Sequence, residues 1–286
     1  MTLAEIYQYL CVKLSHTESP TSEAWELLRH ATPWQPKDLI ARPQADITPD
    51  AVLQLKQWVT LRQQGKPLAY ILEKKHFWKF DLAVNEAVLI PRSDTECLIE
   101  WLLAQFPEDS TKTVLDLGTG SGAIAIALAV ERPHWHIIAT DQSETALSVA
   151  KHNAMTLGAT NVSFYLGNWF AALDQSVPGV FDIIISNPPY IANDDPYLQQ
   201  GDLPFEPKIA LIASHQGFEA LHHIIALAPT FLQAPGLLIL EHGYQQQAQL
   251  MVQLEIAQYQ NIQGHCDYQS NPRFVTASKP LRKESP

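Results

Sequence analysis

Cysteine is scarce in this chain. Cys11, Cys97 and Cys266 stand far apart with no metal-ligand spacing, so they offer neither a disulfide framework nor a zinc site and read as free thiols in a reducing compartment. Long apolar runs are missing too: none approaches the roughly 20 residues that a membrane-spanning helix needs. The start, Met1-Thr2-Leu3-Ala4-Glu5, has no basic stretch followed by an apolar block, so no signal peptide is evident. A cytoplasmic protein without a membrane partner is expected. Basic residues are in deficit, 19 against 30 acidic ones, for a net charge of −11. Extended non-specific binding of nucleic acid relies on Lys and Arg neutralising phosphates, so no stable nucleic-acid binding is expected. A local basic cleft stays open, and an acidic surface suits a basic or neutral protein partner. Internal repeats and low-complexity segments are absent. What is present is an ordinary globular composition, 286 residues at 46% hydrophobic and 17% charged, enough for one large domain or two smaller ones.

The periodicity changes along the chain. Leu3, Ile6, Tyr7, Leu10 and Leu14 recur at helical spacing; a second short helix fits Ser22–Ala31, and a third opens at Pro49-Asp50 and stops near Gly65. Residues 1–66 therefore read as a small helical bundle, a candidate for substrate recognition. Residues 67–92 turn aromatic and β-prone: His76–Val84 followed by Ala87–Ile90 predicts a β-hairpin linker, ended by Pro91. From 93 to 279 strand-like and helix-like segments alternate. Strands are expected at Thr113–Leu117, His136–Thr140, Val162–Leu166, Phe181–Ser186, Gly236–Leu240, Tyr259–Tyr268 and Phe274–Ala277, and helices at Gly122–Glu131, Ser143–Leu157 and Gly217–Leu227. Such alternation predicts an α/β sheet with helices on both faces. Residues 280–286 read as a frayed polar tail.

The most specific local signal is Asn187-Pro188-Pro189-Tyr190, directly behind the apolar run Phe181–Ser186. The Asn187 side-chain carbonyl accepts hydrogen bonds, and Pro188, lacking an N–H, can offer only its own carbonyl. Two such acceptors can take both hydrogens of a planar –NH2 group, and Tyr190 can stack on the group that carries it. Each residue before a proline is biased away from helix, which keeps the segment extended. A second signal is Asp116-Leu117-Gly118-Thr119-Gly120-Ser121-Gly122, between an expected strand and an expected helix. Glycines there allow a tight turn and a close approach to a ligand. Gly118, Gly120 and Ala123 also satisfy the dinucleotide fingerprint, and a turn without any ligand would use the same residues. Asp116 can accept from an ammonium or order the loop. Asp141, ending the next strand, is placed for ribose hydroxyls. A dinucleotide enzyme would leave the Asn-Pro-Pro-Tyr turn unexplained.

Other candidates have plainer readings. Asn168-Trp169-Phe170 can hold and cover an adenine or simply pack. Ser93 and Glu96 have capping-box spacing, and Arg92 and Glu96 can also belong to an acceptor pocket. His215, His222 and His223 do not converge on one helix face, so no metal is expected. Glu241-His242 ends a strong strand and reads as structural hydrogen bonding before it reads as an acid–base pair.

Taken together, the chain resembles the release factor glutamine methyltransferases (the PrmC/HemK family) over nearly its whole length. The resemblance rests on Gly65-Lys66-Pro67-Leu68-Ala69-Tyr70-Ile71, Pro91–Glu96, Asp116–Gly122, Asn187–Tyr190, Phe205-Glu206-Pro207 and Leu240-Glu241-His242-Gly243. It implies a class I S-adenosylmethionine-dependent methyltransferase, Rossmann-like with a mostly parallel seven-stranded sheet, behind an N-terminal helical bundle. It also implies transfer of a methyl group to the side-chain amide of the glutamine in the Gly-Gly-Gln motif of class-1 peptide chain release factors, in support of translation termination, with S-adenosylhomocysteine as product. By this resemblance Gly118, Thr119, Gly120, Ser121 and Gly122 hold the methionine part of the cofactor, Asp141 the ribose and Trp169 the adenine. Asn187 sits beside both cofactor and glutamine; with Pro188 it forms the catalytic pair, and Pro189 and Tyr190 complete the acceptor site. A monomer is expected. The chain departs from the family pattern at Ser93, where proline is common, at Asn168, where an acid is common, and in the turn Ser270-Asn271-Pro272-Arg273. Asn-Pro-Pro-Tyr alone is shared with adenine-N6 nucleic-acid methyltransferases, which stand as the alternative. A dehydrogenase using NAD and a non-catalytic adaptor are further options.

Overall fold

The computed structural model describes residues 1–173 and 179–279; the expected tail at 280–286 lies outside them. The chain separates into two compact units. One comprises Met1–Lys74 with Gly201–Phe205, the other Lys75–Gln200 with the chain from Glu206 onward.

In the first unit, α1 (Leu3–Lys13), α2 (Pro20–Ala31), α3 (Pro36–Ala41), α4 (Pro49–Gln63) and α5 (Leu68–Leu72) follow one another. Thr2 and Glu5 form a capping box at the start of α1, and the Thr48 hydroxyl accepts from Ala51 N–H at the start of α4, so orphan N–H groups are satisfied. The helical spacing read from the sequence becomes the core: Leu3, Ile6, Leu10 and Leu14 bury against Leu27, Leu28, Leu55 and Val59. The Arg62 guanidinium joins Glu23, 2.8 Å away, to Asp202, 2.9 Å away. The Phe205 ring lies so close over Gly65 that a Cβ there would stand 2.7 Å from it.

The second unit opens with a two-stranded hairpin, β1 (Lys74–Phe77) and β2 (Phe80–Ala83). The hairpin expected over His76–Ile90 is thus shorter than predicted. Trp78 takes a positive φ of 59° and closes a two-residue turn inside the aromatic run, while Val88 and Ile90 are buried outside any strand. α6 (Asp94–Gln105) follows. The capping box expected there is not made: Ser93 is already in helical geometry with no side-chain cap bond, and Glu96 accepts from Trp78 N–H at 3.1 Å instead.

The main sheet has seven strands: β3 (Thr113–Leu117), β4 (His136–Asp141), β5 (Val162–Leu166), β6 (Phe181–Ser186), β7 (Leu232–Glu241), β8 (Gln260–Cys266) and β9 (Pro272–Ser278). Their order is β5-β4-β3-β6-β7-β9-β8. The first five are parallel and β9 runs antiparallel to both neighbours. Two-sided burial explains the unbroken apolar runs. Val114, Ile137, Ile183, Ile185 and Ile239 face the layer formed by α6, α7 (Ala123–Glu131) and α8 (Glu144–Leu157). Leu115, Leu117, Ile138, Ile184, Leu238 and Leu240 face the other layer. There α11 (Glu219–Phe231) and α12 (Gln247–Ile256) cover the sheet, preceded by the single turns α9 (Lys208–Leu211) and α10 (Ser214–Gly217). α12 has no counterpart in the sequence reading; only Leu250 and Leu254 of it are buried, too sparse a stripe to stand out among glutamines.

Asn153 of α8 ties the α6–α8 layer to the hairpin. It accepts from Ala83 N–H at 2.8 Å and donates to Ala83 O at 3.0 Å and Ser121 O at 2.9 Å. Asn153→Ala would leave these groups without partners in a buried place, and urea unfolding is expected to show a loss of about 2–4 kcal/mol.

Candidate active site

The strand register assembles the site. At the carboxyl edge Leu117 pairs with Thr140 on one side and Ser186 on the other, Asp141 with Leu166, Ser186 with Leu240, and Glu241 with Phe274. One row therefore carries Asp141, the glycine loop, Asn187 and Glu241, although they are spread over more than a hundred residues. The strand order reverses between β3 and β6, the place where open parallel sheets bind ligands.

The loop after β3 turns back at once. Gly118 N–H and Thr119 N–H both donate to Thr140 O at 2.9 Å, and Gly118, Gly120 and Gly122 all have positive φ, where a side chain strains the backbone. Asp141 fixes the loop from the side: its two oxygens accept from Gly120 N–H and Ser143 N–H, each at 2.9 Å. Burial pushes the Asp141 carboxyl up, and the amides of Ser143, Gly120 and Gln142 hold it partly down. The Thr119 hydroxyl donates to Asp116 at 2.6 Å, and Ser121 is buried with its carbonyl on Asn153.

Asp116 is fully buried, and desolvation pushes its carboxyl up to about 7 against the restraint of the Thr119 hydroxyl and the Ala125 amide. Its Oδ1 has no well-formed hydrogen bond.

Trp169 sits at the head of a 3-10 turn, Trp169–Ala172, with a positive φ of 49°. Its ring lies 3.3 Å from where a Cβ on Gly118 would be, so the aromatic side chain covers the glycine loop closely and a side chain at 118 would press on it. Asn168 precedes the turn without capping it through its side chain. These residues, with Val88, Leu89, Gln142, Pro189 and Ile209, line a cleft at the carboxyl edge of the sheet. A neighbouring hollow shares Leu89, Gly118, Gly120 and Asn187 and adds Arg92, Thr95, Thr119 and Ser121. Asn187 thus borders both.

Beyond Asn187, Tyr190 packs into the second core layer and its hydroxyl points at Glu241, 3.5 Å away; burial and the Glu241 charge push that phenol well up. Glu241 is buried and takes a 2.7 Å hydrogen bond from the Thr95 hydroxyl. His242 is held neutral by burial, its ring pushed down to about 4. Arg92 pairs with Glu206, which also accepts from Ile90 N–H at 3.0 Å. Sequence reasoning placed Glu206 only within the resemblance and read Glu241 chiefly as a structural hydrogen-bonding group, without a partner. Thr95 went unremarked because nothing in the chain signals that a hydroxyl at 95 meets a carboxylate at 241. Among the described residues no cluster of His, Cys, Asp and Glu is arranged to hold a metal, and no helix is long and apolar enough to cross a membrane.

The sheet order, the glycine loop and the acid at the end of the next strand are those of a methyltransferase, and a methyltransferase-domain model matches residues 108–273. A model of the PrmC N-terminal domain matches residues 5–72. Release factor glutamine methyltransferases from Escherichia coli K12 and Shewanella oneidensis are 41% and 40% identical to the chain. The first match covers 92% of this chain and 94% of the relative, the second 95% and 94%. The chain belongs to the release factor glutamine methyltransferase family, and its methyl donor is S-adenosylmethionine. In solved structures the same fold occurs in a methyltransferase from Pyrococcus furiosus (TM-score 0.53, 16% identity, 78% of this chain and 98% of that one) and in the N-terminal domain of human METTL16 (TM-score 0.51, 14% identity, 94% and 97%).

The buried Asp116 yields a pH test. Its folded-state value lies above the ordinary carboxylate value, so the folded protein holds this proton more tightly than the unfolded chain does. The associated stability is complete at about pH 4 and is lost as pH rises through 7. Asp116→Asn removes that dependence. In urea titrations it should gain on the wild type between pH 4 and pH 8, by up to about 4 kcal/mol at the upper end.

Proposed function

We propose that this chain methylates the side-chain amide nitrogen of the glutamine in the Gly-Gly-Gln motif of class-1 peptide chain release factors. The observation that carries the reading is the position of Asn187, next to the glycine loop across the β3–β6 pair and at the border of both hollows. Family membership along both the N-terminal and the methyltransferase parts points the site at a protein amide. The net charge of −11 speaks in the same direction, against the adenine-N6 alternative.

The residues present fit the methyl donor. The incompletely bonded, buried Asp116 oxygen is an acceptor for its ammonium, directly or through the loop. The two Asp141 oxygens keep acceptor capacity beyond their backbone amide bonds, available to ribose hydroxyls. Trp169, Val88, Leu89 and Ile209 supply apolar walls for a purine. Gly118–Gly122 keep the backbone bare for the amino-acid part. When bound, the cofactor supplies a methyl group on positively charged sulfur.

The protein's task is then to present a poor nucleophile. An amide nitrogen shares its lone pair with its carbonyl. Asn187 Oδ1 and the Pro188 carbonyl accept its two N–H bonds, orient the nitrogen and favour a more tetrahedral geometry. The two prolines keep those acceptors fixed, and Tyr190 offers a ring edge or face to the incoming planar group. Orientation of this kind is worth roughly 7–11 kcal/mol in favourable cases. The nitrogen releases one proton to water as it gains the methyl group, so no side-chain base is required. The N-terminal unit serves substrate recognition, and the enzyme works in the cytoplasm as a monomer without stable nucleic-acid binding.

Labelled S-adenosylmethionine offered to the enzyme with purified release factor and with duplex DNA tests the reading. Label is expected on the glutamine of the Gly-Gly-Gln peptide by mass spectrometry; label on DNA alone overturns it. Asn187→Ala is expected to lower kcat about 100- to 1000-fold while S-adenosylhomocysteine binding by calorimetry persists.

A further inference from the structure

The side chain of Asn187 is useful to an –NH2 group only one way round. Its Oδ1 must face the acceptor, yet an amide can flip and present Nδ2, which would repel the substrate's hydrogens. Something must decide the flip, and the side chain has a polar partner on α6. Asn187 Nδ2 stands 3.3 Å from the Thr95 hydroxyl. Thr95 is buried, and its hydroxyl is 2.7 Å from Glu241 Oε2. In its ionised form Glu241 has no proton to give. The Thr95 hydrogen therefore points at Glu241, a lone pair of Thr95 points at Asn187, and only Nδ2 can satisfy it.

We propose that Glu241, acting through the Thr95 hydroxyl, sets the orientation of the Asn187 amide and so holds Oδ1 toward the acceptor nitrogen. Thr95 and Glu241 are positioning residues; neither touches the reacting atoms. The inference rests on the amine-gripping role given to Asn187 above.

The surroundings of Glu241 suit this task. It is fully buried at the end of β7, across from Phe274 of β9. Four groups face it from the packed elements: Thr95 and Asp94 of α6, the Tyr190 hydroxyl of the turn after β6, and Arg273 of β9. His242 follows in the chain and is neutral. Desolvation raises the Glu241 carboxyl to about 7, with Asp94 adding to the rise; the Thr95 hydroxyl, Arg273 and Tyr190 oppose it. Above that pH Glu241 only accepts and the relay has one direction. Once protonated it can donate to Thr95, the Thr95 hydrogen can turn to Asn187, and the amide loses its reason to keep Oδ1 outward.

Thr95→Val removes the hydroxyl at nearly constant volume. It is expected to lower kcat on release factor about 10- to 100-fold, the scale of one lost oriented hydrogen bond, with KM, S-adenosylhomocysteine affinity and melting temperature near the wild type. Thr95→Ser restores a hydroxyl and should recover most of the rate. The wild-type rate should fall below about pH 7, and Glu241→Gln should flatten that dependence. A readout free of catalysis accompanies these. The Asn187 side-chain NH2 pair in a 1H–15N spectrum, assigned by its loss in Asn187→Ala, should move in Thr95→Val and on acidification through pH 7, and should keep its neutral-pH position in Thr95→Ser. Full turnover in Thr95→Val overturns the proposal. So does loss of S-adenosylhomocysteine affinity with kcat kept, which would give Thr95 to the cofactor. An unmoved Asn187 signal in Thr95→Val overturns it as well; if Thr95→Val does not fold, an Asn187 signal in the wild type indifferent to pH does so. Failure of the wild type to methylate release factor sinks the reading of the substrate, while the NMR result still decides the relay.

Discussion

Parallel register is the constraint on which the site depends. Side chains on a strand alternate with period two, so a slip of one residue would turn a whole strand inside out. Both faces of this sheet are covered by apolar layers, and the strands meet them with Val114, Ile183 and Ile185 on one side and Leu115, Leu117 and Ile184 on the other. Locking Leu117 beside Thr140 and Ser186 also locks what comes next in each strand. The glycine loop, Asp141 and Asn187 are thus placed by hydrophobic burial several residues upstream of any polar contact they make.

The polar contacts then refine what burial has placed. Asp141 binds the loop and the start of α8 together, so the carboxylate assigned to the ribose is already oriented before any ligand arrives. Trp169 sits in a left-handed conformation and lies over Gly118. Such a conformation in a bulky residue is disfavoured locally and persists where its surroundings over-determine it. These contacts hold parts of the site from within the scaffold, and such preorganisation lowers the ordering cost of binding.

Much of this was legible in the sequence, for reasons that can be named. The five parallel strands announced themselves because double-sided burial demands short unbroken apolar runs, and Gly-x-Gly and Asn-Pro-Pro-Tyr are local enough to be read within one turn. What escaped depended on distance or on weak pattern. Thr95 and Glu241, and Arg92 and Glu206, are pairs made only by the tertiary fold. Ser93 and Glu96 have the spacing of a capping box, but Trp78 N–H captured Glu96; a motif defined by spacing cannot foresee a competing donor from another element. α12 was invisible because a helix that buries just two leucines needs no strong stripe.

The segment Gly201–Phe205 has a consequence for how the protein can be taken apart. It lies more than a hundred residues beyond Lys74, yet it belongs to the N-terminal unit, through Asp202 on Arg62 and the Phe205 ring over Gly65. That unit is therefore discontinuous in sequence. Cutting the chain after Lys74 would yield neither part whole: the helices would lose a ring and a counter-ion, and the remainder would carry an aromatic side chain stripped of its cover. In genetic terms the N-terminal unit is encoded in two pieces, and a functional swap of its helices between relatives has to carry both.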